Sequence, residues 1–422
     1  MDFPTLRSGA EQFDAQDALA TLRDHFHVPA HPGTGAYLCG HSLGLQPRAA
    51  AGLVQEELER WARLAVDGHF ATDRPWLSYH EALAAPLARL AGASPLEVVV
   101  MNTLSVNLHL MLISFYRPTG SRRKILIEQS AFSSDRYAVA SQIRHHGLDP
   151  AEALLEAVPR HGEETIRTED LCELIEREGP QLATVLLPGV QYLSGQLFDL
   201  QEIARCARRA GCTVGFDLAH AIGNVPLALH DWDVDFAVWC SYKYLNAGPG
   251  AIGGAFVHER HARMPARIRL AGWWGHDKES RFAMPHAFQP LPGAEGWQIS
   301  NIPVLSCAPL LASLPLFDQV GMAALRRKSL ALTGYLAFLL EQRLAHAVSI
   351  LTPAQPQARG CQLSLRLKRP ATHARAIFEA LTRRGFVGDW RAPDVIRVAP
   401  VPMYNRFVEI WDFVAALEQC LQ

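Results

Sequence analysis

From about Val98 to Val257, short continuous apolar runs alternate with stretches whose apolar residues recur at helical spacing. The runs are Val98-Val99-Val100-Met101, Lys124-Ile125-Leu126-Ile127, Thr184-Val185-Leu186-Leu187, Thr213-Val214-Gly215-Phe216, Asp235-Phe236-Ala237-Val238 and Gly253-Gly254-Ala255-Phe256-Val257. Strands that are apolar on both faces belong to a mostly parallel sheet covered by helices on both sides, so the centre of the chain is expected to be an α/β unit. One connecting helix is fully signposted. Asp199 can cap it, Glu202 follows three residues on, Ile203 and Ala207 share a face, and Gly211 ends it. Past about Pro309 the texture changes. Met322 to Leu344 reads as a long amphipathic helix, Thr352 to Gly360 as a loop, and Gln362 to Lys368 as a half-exposed strand. His373 to Arg384 then reads as a helix and Val395 to Val398 as a strand, which together predict a smaller α+β unit.

Composition narrows the class of function. A chain of 422 residues that is 49% hydrophobic can bury a sizeable core. Forty basic and 42 acidic residues give a formal charge of −2, which leaves no footprint for nucleic acid and favours small-molecule chemistry. The N-terminus Met1-Asp2-Phe3-Pro4 has no basic or apolar leader, and no uninterrupted apolar run approaches the roughly 18 residues of a membrane span. A soluble, cytoplasmic protein without a membrane segment is expected. The eight cysteines, at 39, 172, 206, 212, 240, 307, 361 and 420, show no C-x-x-C or zinc-ligand cadence and read as buried, reduced thiols. The histidine pairs His25/His27 and His145/His146 lack partners at ligand spacing, so no metal is expected.

Lys243 carries the first chemical signal. It follows the apolar run ending at Trp239-Cys240, and burial disfavours an ammonium at the end of a core strand unless chemistry requires it. An amine that condenses with an aldehyde is one such chemistry; when the aldehyde is pyridoxal phosphate, an aspartate usually pairs with the ring nitrogen. Asp217, in Val214-Gly215-Phe216-Asp217, is the candidate acid, with an arginine salt bridge as the competing explanation. Asn102-Thr103-Leu104-Ser105 reads as a strand-to-helix turn, where free N–H groups favour a phosphate; simple capping by Thr103 or Ser105 stays open. Phe132 follows another strand and can stack on a ring or serve as core. Gly248-Pro249-Gly250-Ala251-Ile252-Gly253 matches G-x-G-x-x-G, yet it opens no helix, and the dinucleotide reading is discarded.

Five longer stretches carry a family resemblance. Val214 to Asn224, Leu229 to Phe236, Trp239 to Gly248, Leu270-Ala271-Gly272-Trp273-Trp274-Gly275-His276 and Ile396-Arg397-Val398-Ala399-Pro400-Val401-Pro402 resemble kynureninases, and the likeness runs from about His41-Ser42-Leu43-Gly44 to the C-terminus. The resemblance implies the pyridoxal-phosphate-dependent transferase fold of type I. That fold has a mostly parallel sheet of seven-stranded type in a large domain (46–308), a small α+β domain (309–422), and an N-terminal segment (1–45) packing with the small domain. It also implies roles by position. Lys243 would hold the cofactor, Asp217 pair with its ring nitrogen, and Phe132 stack on the ring. Leu104 and Ser105 would meet the phosphate, with Asp135, His220 and Tyr242 completing the pocket. Trp273 and Asn301 would reach the site across a homodimer interface, and Arg397 would grip the substrate α-carboxylate. His69, Asn301 and Ser42 are candidates for the aryl end. Pro188 stands where some relatives have a phosphate-binding serine, and Trp274 where phenylalanine is common.

The implied reaction is hydrolysis of the Cβ–Cγ bond of L-kynurenine, or 3-hydroxykynurenine, to anthranilate, or 3-hydroxyanthranilate, and L-alanine in tryptophan catabolism. Lys243 would move the α-proton, and Tyr242 would act as proton relay or phosphate contact. The alternatives are a cysteine desulfurase or lyase of the same fold, which needs a nucleophilic cysteine on a loop, and a non-catalytic binding relative, which needs neither Lys243 nor Asp217.

Overall fold

A strand with helices on both sides has no polar face to offer water, and the central apolar runs fold accordingly as buried strands. The computed structural model describes every residue except 1, 2, 31–34, 72 and 265, so Met1, Asp2 and residues 31–34 of the expected N-terminal segment lie outside the described residues. Among the described residues, seven strands build the large sheet. They are β1 (Val98–Val100), β2 (Lys124–Glu128), β3 (Leu154–Ala157), β4 (Leu182–Pro188), β5 (Thr213–Asp217), β6 (Phe236–Cys240) and β7 (Gly253–Val257), in the order β1-β7-β6-β5-β4-β2-β3. Strand β7 is antiparallel to both neighbours and the remaining pairs are parallel. Strands β2, β4, β5 and β6 therefore present their carboxyl ends on one rim, where ligands bind in open α/β sheets. Strand β3 is partly exposed at the sheet edge and carries Glu156, so it lacks the continuous apolar signature of the others.

A second sheet of four antiparallel strands follows: β8 (Val348–Ile350), β9 (Leu363–Leu367), β10 (Asp389–Arg391) and β11 (Val395–Val398), in the order β10-β11-β9-β8. Helices Ala371–Arg383 and Phe407–Leu421 share its apolar core. The expected helix from Met322 is the second half of a longer one, Val304–Leu344, broken at Gly321, where φ is +73°. Residues up to Leu325 pack in the core of the large sheet, and those from Leu332 pack in the core of the small one. The change of core thus falls inside this helix and not at Pro309, because the rod spans both units. By length and composition one window of this helix could cross a membrane, which a count of uninterrupted apolar residues passes over. Its side chains Cys307, Leu310, Leu314 and Phe317 are instead buried in the protein core.

Helix Arg7–Ala15 lies against Phe407–Leu421. The Arg7 Nε and Nη2 groups donate to the Asp412 carboxylate at 2.8 and 3.0 Å. Asp14 accepts from the backbone N–H groups of Phe407 (2.7 Å) and Val408 (3.0 Å), the free donors that open the last helix.

One expectation is corrected here. Cys172 and Cys206 form a disulfide between helices Thr168–Glu178 and Leu200–Arg209, so the cysteines are not all thiols. Their separation of 34 residues carries no sequence signal; the pairing arises because the two helices pack side by side. The other six are free, and all but Cys420 are buried.

Gly215 in β5 makes the packing testable. A Cβ there would stand 2.1 Å from the Phe236 ring, itself fully buried on β6. Gly215→Ala is expected to destabilise the fold by about 1–3 kcal/mol, the usual cost of overpacking, measured as a lower denaturant midpoint. An unchanged midpoint would contradict this contact.

Candidate active site

The carboxyl ends of β2, β4, β5 and β6 and the start of helix Leu104–Phe115 enclose a cavity of about 230 Å³. Leu104, Ser105, Phe132, Asp135, Asp217, His220, Tyr242 and Lys243 all line it, together with Thr103, Glu128, Pro188 and Tyr192. Lys243 sits in the turn after β6, with its Nζ 5.8 Å from the centre of the Tyr242 ring. That turn is clamped from outside by Gly44, whose N–H donates to the Tyr242 carbonyl at 2.8 Å. A Cβ at Gly44 would stand 2.2 Å from the Lys243 carbonyl oxygen, so only glycine permits this approach.

The cavity is rich in buried acid. Asp217 ends β5, and its Oδ1 accepts the Ala219 N–H at 2.7 Å. Burial raises its pKa, opposed by that N–H, by the charge of Lys243 and by a hydrogen bond with Asp135. Asp135 is raised well above the carboxylate range, by burial first and the Asp217 charge second. Glu128 is pushed up to about 8, chiefly by burial. Among the described residues no arginine pairs with Asp217, which removes the salt-bridge explanation.

At the other end of the cavity, Thr103 precedes helix Leu104–Phe115 without any side-chain cap, so the simple capping role is not played. The first N–H groups of this helix have no capping side chain, and a helix start of this kind suits an anion. Phe132 is 46% exposed, and its ring meets Tyr192 edge-on at 5.2 Å. His220 is buried with Nδ1 unpartnered; burial, and then the charges of Lys243 and Arg397, hold it well below the usual imidazole range and hence neutral. Burial raises the Tyr242 phenol, which stays protonated. Pro188, paired with Asp217 across β4 and β5, offers the cavity neither hydroxyl nor N–H.

Arg397 lies on β11 and is only 1% exposed, so it is not a surface arginine. The hairpin register sets Asp389 directly opposite it. Its Nε and Nη2 donate to the two Asp389 oxygens at 3.2 and 2.6 Å, and Nη1 donates to the Tyr192 carbonyl at 2.6 Å. Ser42 joins this group, its Oγ donating to Asp389 at 3.1 Å.

The remaining expected residues lie elsewhere on the chain. His69 and Asn301 line a second cavity of about 490 Å³ with Glu57, Trp61, Trp76 and Trp274, sharing no residue with the first. His69 sits edge-on to Trp76 at 5.2 Å and donates from Nδ1 to the Val66 carbonyl. Trp273, 43% exposed, meets Trp274 edge-on at 5.7 Å and donates its indole N–H to the Arg281 carbonyl. One chain therefore does not bring these three to Lys243. Sequence reasoning missed Glu128, Tyr192 and Asp389. Only the Asp389-Trp390-Arg391 alternation, eight residues before Arg397, offered a signal for the last.

The comparisons with known proteins follow this geometry. Residues 325–417 match the model of the kynureninase C-terminal domain. A protein of Myxococcus xanthus named kynureninase is 58% identical over 418 residues, covering 99% of this chain and 97% of that one. Another, of Xanthomonas euvesicatoria, is 58% identical over 413 residues, covering 98% and 97%. Among solved structures, a variant of C-DES with glycine covalently linked to its PLP cofactor aligns with TM-score 0.77 at 20% identity, over 90% of this chain and 96% of that one. The cysteine desulfurase CsdA of Escherichia coli aligns with TM-score 0.73 at 18% identity, over 96% and 98%. These structures share the type I fold. At this identity the likeness carries the fold alone, and no cysteine among the described residues lines the Lys243 cavity. With relatives this similar along almost its whole length, the chain belongs to the kynureninase family.

Proposed function

We propose that this protein hydrolyses the Cβ–Cγ bond of L-kynurenine with pyridoxal phosphate as cofactor, releasing anthranilate and L-alanine. The observation that carries the cofactor is Asp217, a carboxylate buried at a strand end and facing a cavity with no cation of its own except Lys243. A protonated pyridine nitrogen supplies the missing charge, an uncapped helix start suits the phosphate, and Phe132 offers a ring face. Lys243 would hold the group through its amine, with Leu104, Ser105, His220 and Tyr242 around it. When bound, pyridoxal phosphate supplies an electron sink for the carbanion left at the β-carbon as the bond breaks.

The chain's own residues perform the rest. Arg397, fixed by Asp389 and Tyr192, binds the α-carboxylate and orients the amino acid. Lys243 Nζ carries the α-proton. Tyr242, held as a neutral phenol, donates a hydrogen bond into the cavity. Asp135 lies hydrogen-bonded beside Asp217, the acid assigned to the ring nitrogen. Residues 1–45 and the small unit act together in this reading, because Arg7 and Asp14 bind the last helix.

The site is completed by a second copy. His69, Asn301 and Trp273 lie apart from Lys243, and the surface beside them is apolar. Phe70, Phe282 and Trp273 form a chain of ring contacts at 6.2 and 5.4 Å, with all three rings substantially exposed and Trp61 and Leu305 nearby. Contiguous exposed aromatics of this kind mark an interface. A homodimer would bring His69, Asn301 and Trp273 to the aryl end of the partner's cavity. Cytoplasmic residence belongs to the same reading: six cysteines are free, and Cys172–Cys206 is the one pair that has to persist in a reducing compartment.

Three outcomes test this account. The purified protein should be yellow, with a visible band lost on borohydride reduction and absent in Lys243→Ala; a colourless protein unchanged by added pyridoxal phosphate would refute the cofactor assignment. Lys243→Ala and Asn301→Ala enzymes, each inactive or weak alone, should on subunit exchange regain about a quarter of wild-type anthranilate release, because half the dimers then hold one intact shared site. No recovery from exchanged dimers would place both residues in one subunit's site. The third test uses pH. A carboxyl at about 8 when folded and 4.5 when unfolded contributes stability that is fully present below pH 4.5 and lost as pH rises to about 8. Cofactor-free Glu128→Gln should therefore lose less stability than wild type between about pH 5 and 8 in denaturant titrations. Identical slopes would show that Glu128 is not the source.

A further inference from the structure

We infer that His41 is a substrate-binding residue, donating a hydrogen bond to the α-carboxylate that Arg397 holds. This rests on the reading of Arg397 as the carboxylate site.

His41 is fully buried, and neither ring nitrogen has a hydrogen-bond partner. A neutral imidazole carries one N–H and one lone pair, and a buried polar group left bare is costly enough that proteins almost always satisfy it. The two open ring nitrogens leave room for a partner, and the groups around His41 say which kind fits. His41 occupies the turn after Cys39, which bridges to Ala399 just past β11, and before Gly44, which clamps the Lys243 turn. One of its ring nitrogens lies within 4.8 Å of an Asp389 oxygen. Its ring centre is 6.4 Å from that of His220, which lines the cofactor cavity. His41 thus neighbours both the Arg397–Asp389 pair and His220, a wall of the Lys243 cavity that neither His41 nor Arg397 itself lines.

The charges around it identify the visitor as an anion. Arg397 and Arg391 both bind Asp389, and Lys243 adds a third cation close enough to act on His41. The Cys39 sulfur also lies within 4.8 Å of the His41 nitrogen and the Asp389 oxygen, a set of atoms that could hold a metal. Two guanidinium groups already on the same carboxylate make the spot hostile to a cation and hospitable to a carboxylate. Arg397 has donors to spare. Three of its five N–H groups are engaged by Asp389 and Tyr192, which leaves one on Nη1 and one on Nη2. A carboxylate on these two accepts its third hydrogen bond from His41.

The test is binding of L-alanine, the product that keeps the α-carboxylate, to the cofactor-loaded enzyme, followed by its absorption spectrum. His41→Leu should raise the dissociation constant at least about tenfold, as loss of a hydrogen bond to a charged group does. KM for kynurenine should rise in step while kcat changes less. His41→Asn, which keeps an N–H donor, should recover part of the affinity. Alaninamide, whose neutral carbonyl accepts a weaker hydrogen bond than a carboxylate does, should lose less affinity on His41→Leu than L-alanine loses. If His41→Leu does not fold, His41→Phe removes the donor while keeping a ring and is read the same way. A lowered thermal midpoint with an L-alanine constant within about twofold of wild type would overturn the proposal and leave His41 a structural residue. Arg397→Gln separates the two levels. Weakened L-alanine binding in Arg397→Gln alone overturns the role of His41, whereas unchanged binding in both variants overturns the carboxylate site itself.

Discussion

A carboxylate buried without a cation of its own is the constraint around which the site is arranged. Asp217 ends a strand whose neighbours are apolar, and burial drives it toward protonation. Three local features oppose that drive: the Ala219 N–H, the field of Lys243, and a hydrogen bond with Asp135. Lys243 in turn is positioned by the β6 turn, and that turn by Gly44 from the N-terminal segment. Parallel pairing of β4, β5 and β6 brings the acid and the amine to one rim, so the architecture of the sheet and the electrostatics of the site cannot be separated.

A second electrostatic knot lies on the small sheet. Arg397 is held on two sides, by Asp389 across the hairpin and by the Tyr192 carbonyl from the large unit. A guanidinium gripped in this way loses little freedom when it meets a carboxylate, which favours orientation of the substrate. Because one grip comes from each unit, Arg397 also reports the relative placement of the two sheets.

Strands β4 to β7, Lys243 and Asp217 were legible because both faces of those strands are buried and the apolar runs are unbroken. Asp199 at the helix start was legible for a local reason, since its side chain does accept the Glu202 N–H at 3.0 Å. What escaped was decided by distant parts of the chain. Strand β10 has three residues, all half-buried, and gains its meaning only opposite Arg397. Tyr192 acts partly through its backbone carbonyl, which no sequence pattern reveals. The disulfide depends on two helices meeting, and the single long helix depends on a break at Gly321 that reads as an ordinary start. The family resemblance placed Arg397, Phe132 and His220 where periodicity alone could not.

The pairing of the chain's two ends has a consequence for how the protein is made. Arg7 finds Asp412 across 405 residues, and Asp14 supplies the acceptors for the first N–H groups of the final helix. Chains emerge from the ribosome N-terminus first and their domains fold as units. Helix Arg7–Ala15 must therefore wait, unpaired, until residues 407–412 have been synthesised. The segment that follows it carries His41 and Gly44, and Cys39 within it bridges to Ala399, so this segment too meets its small-unit partners late. Newborn chains that stop short of residue 407 are left with a first helix that has no partner, a feature that chaperones and proteases recognise.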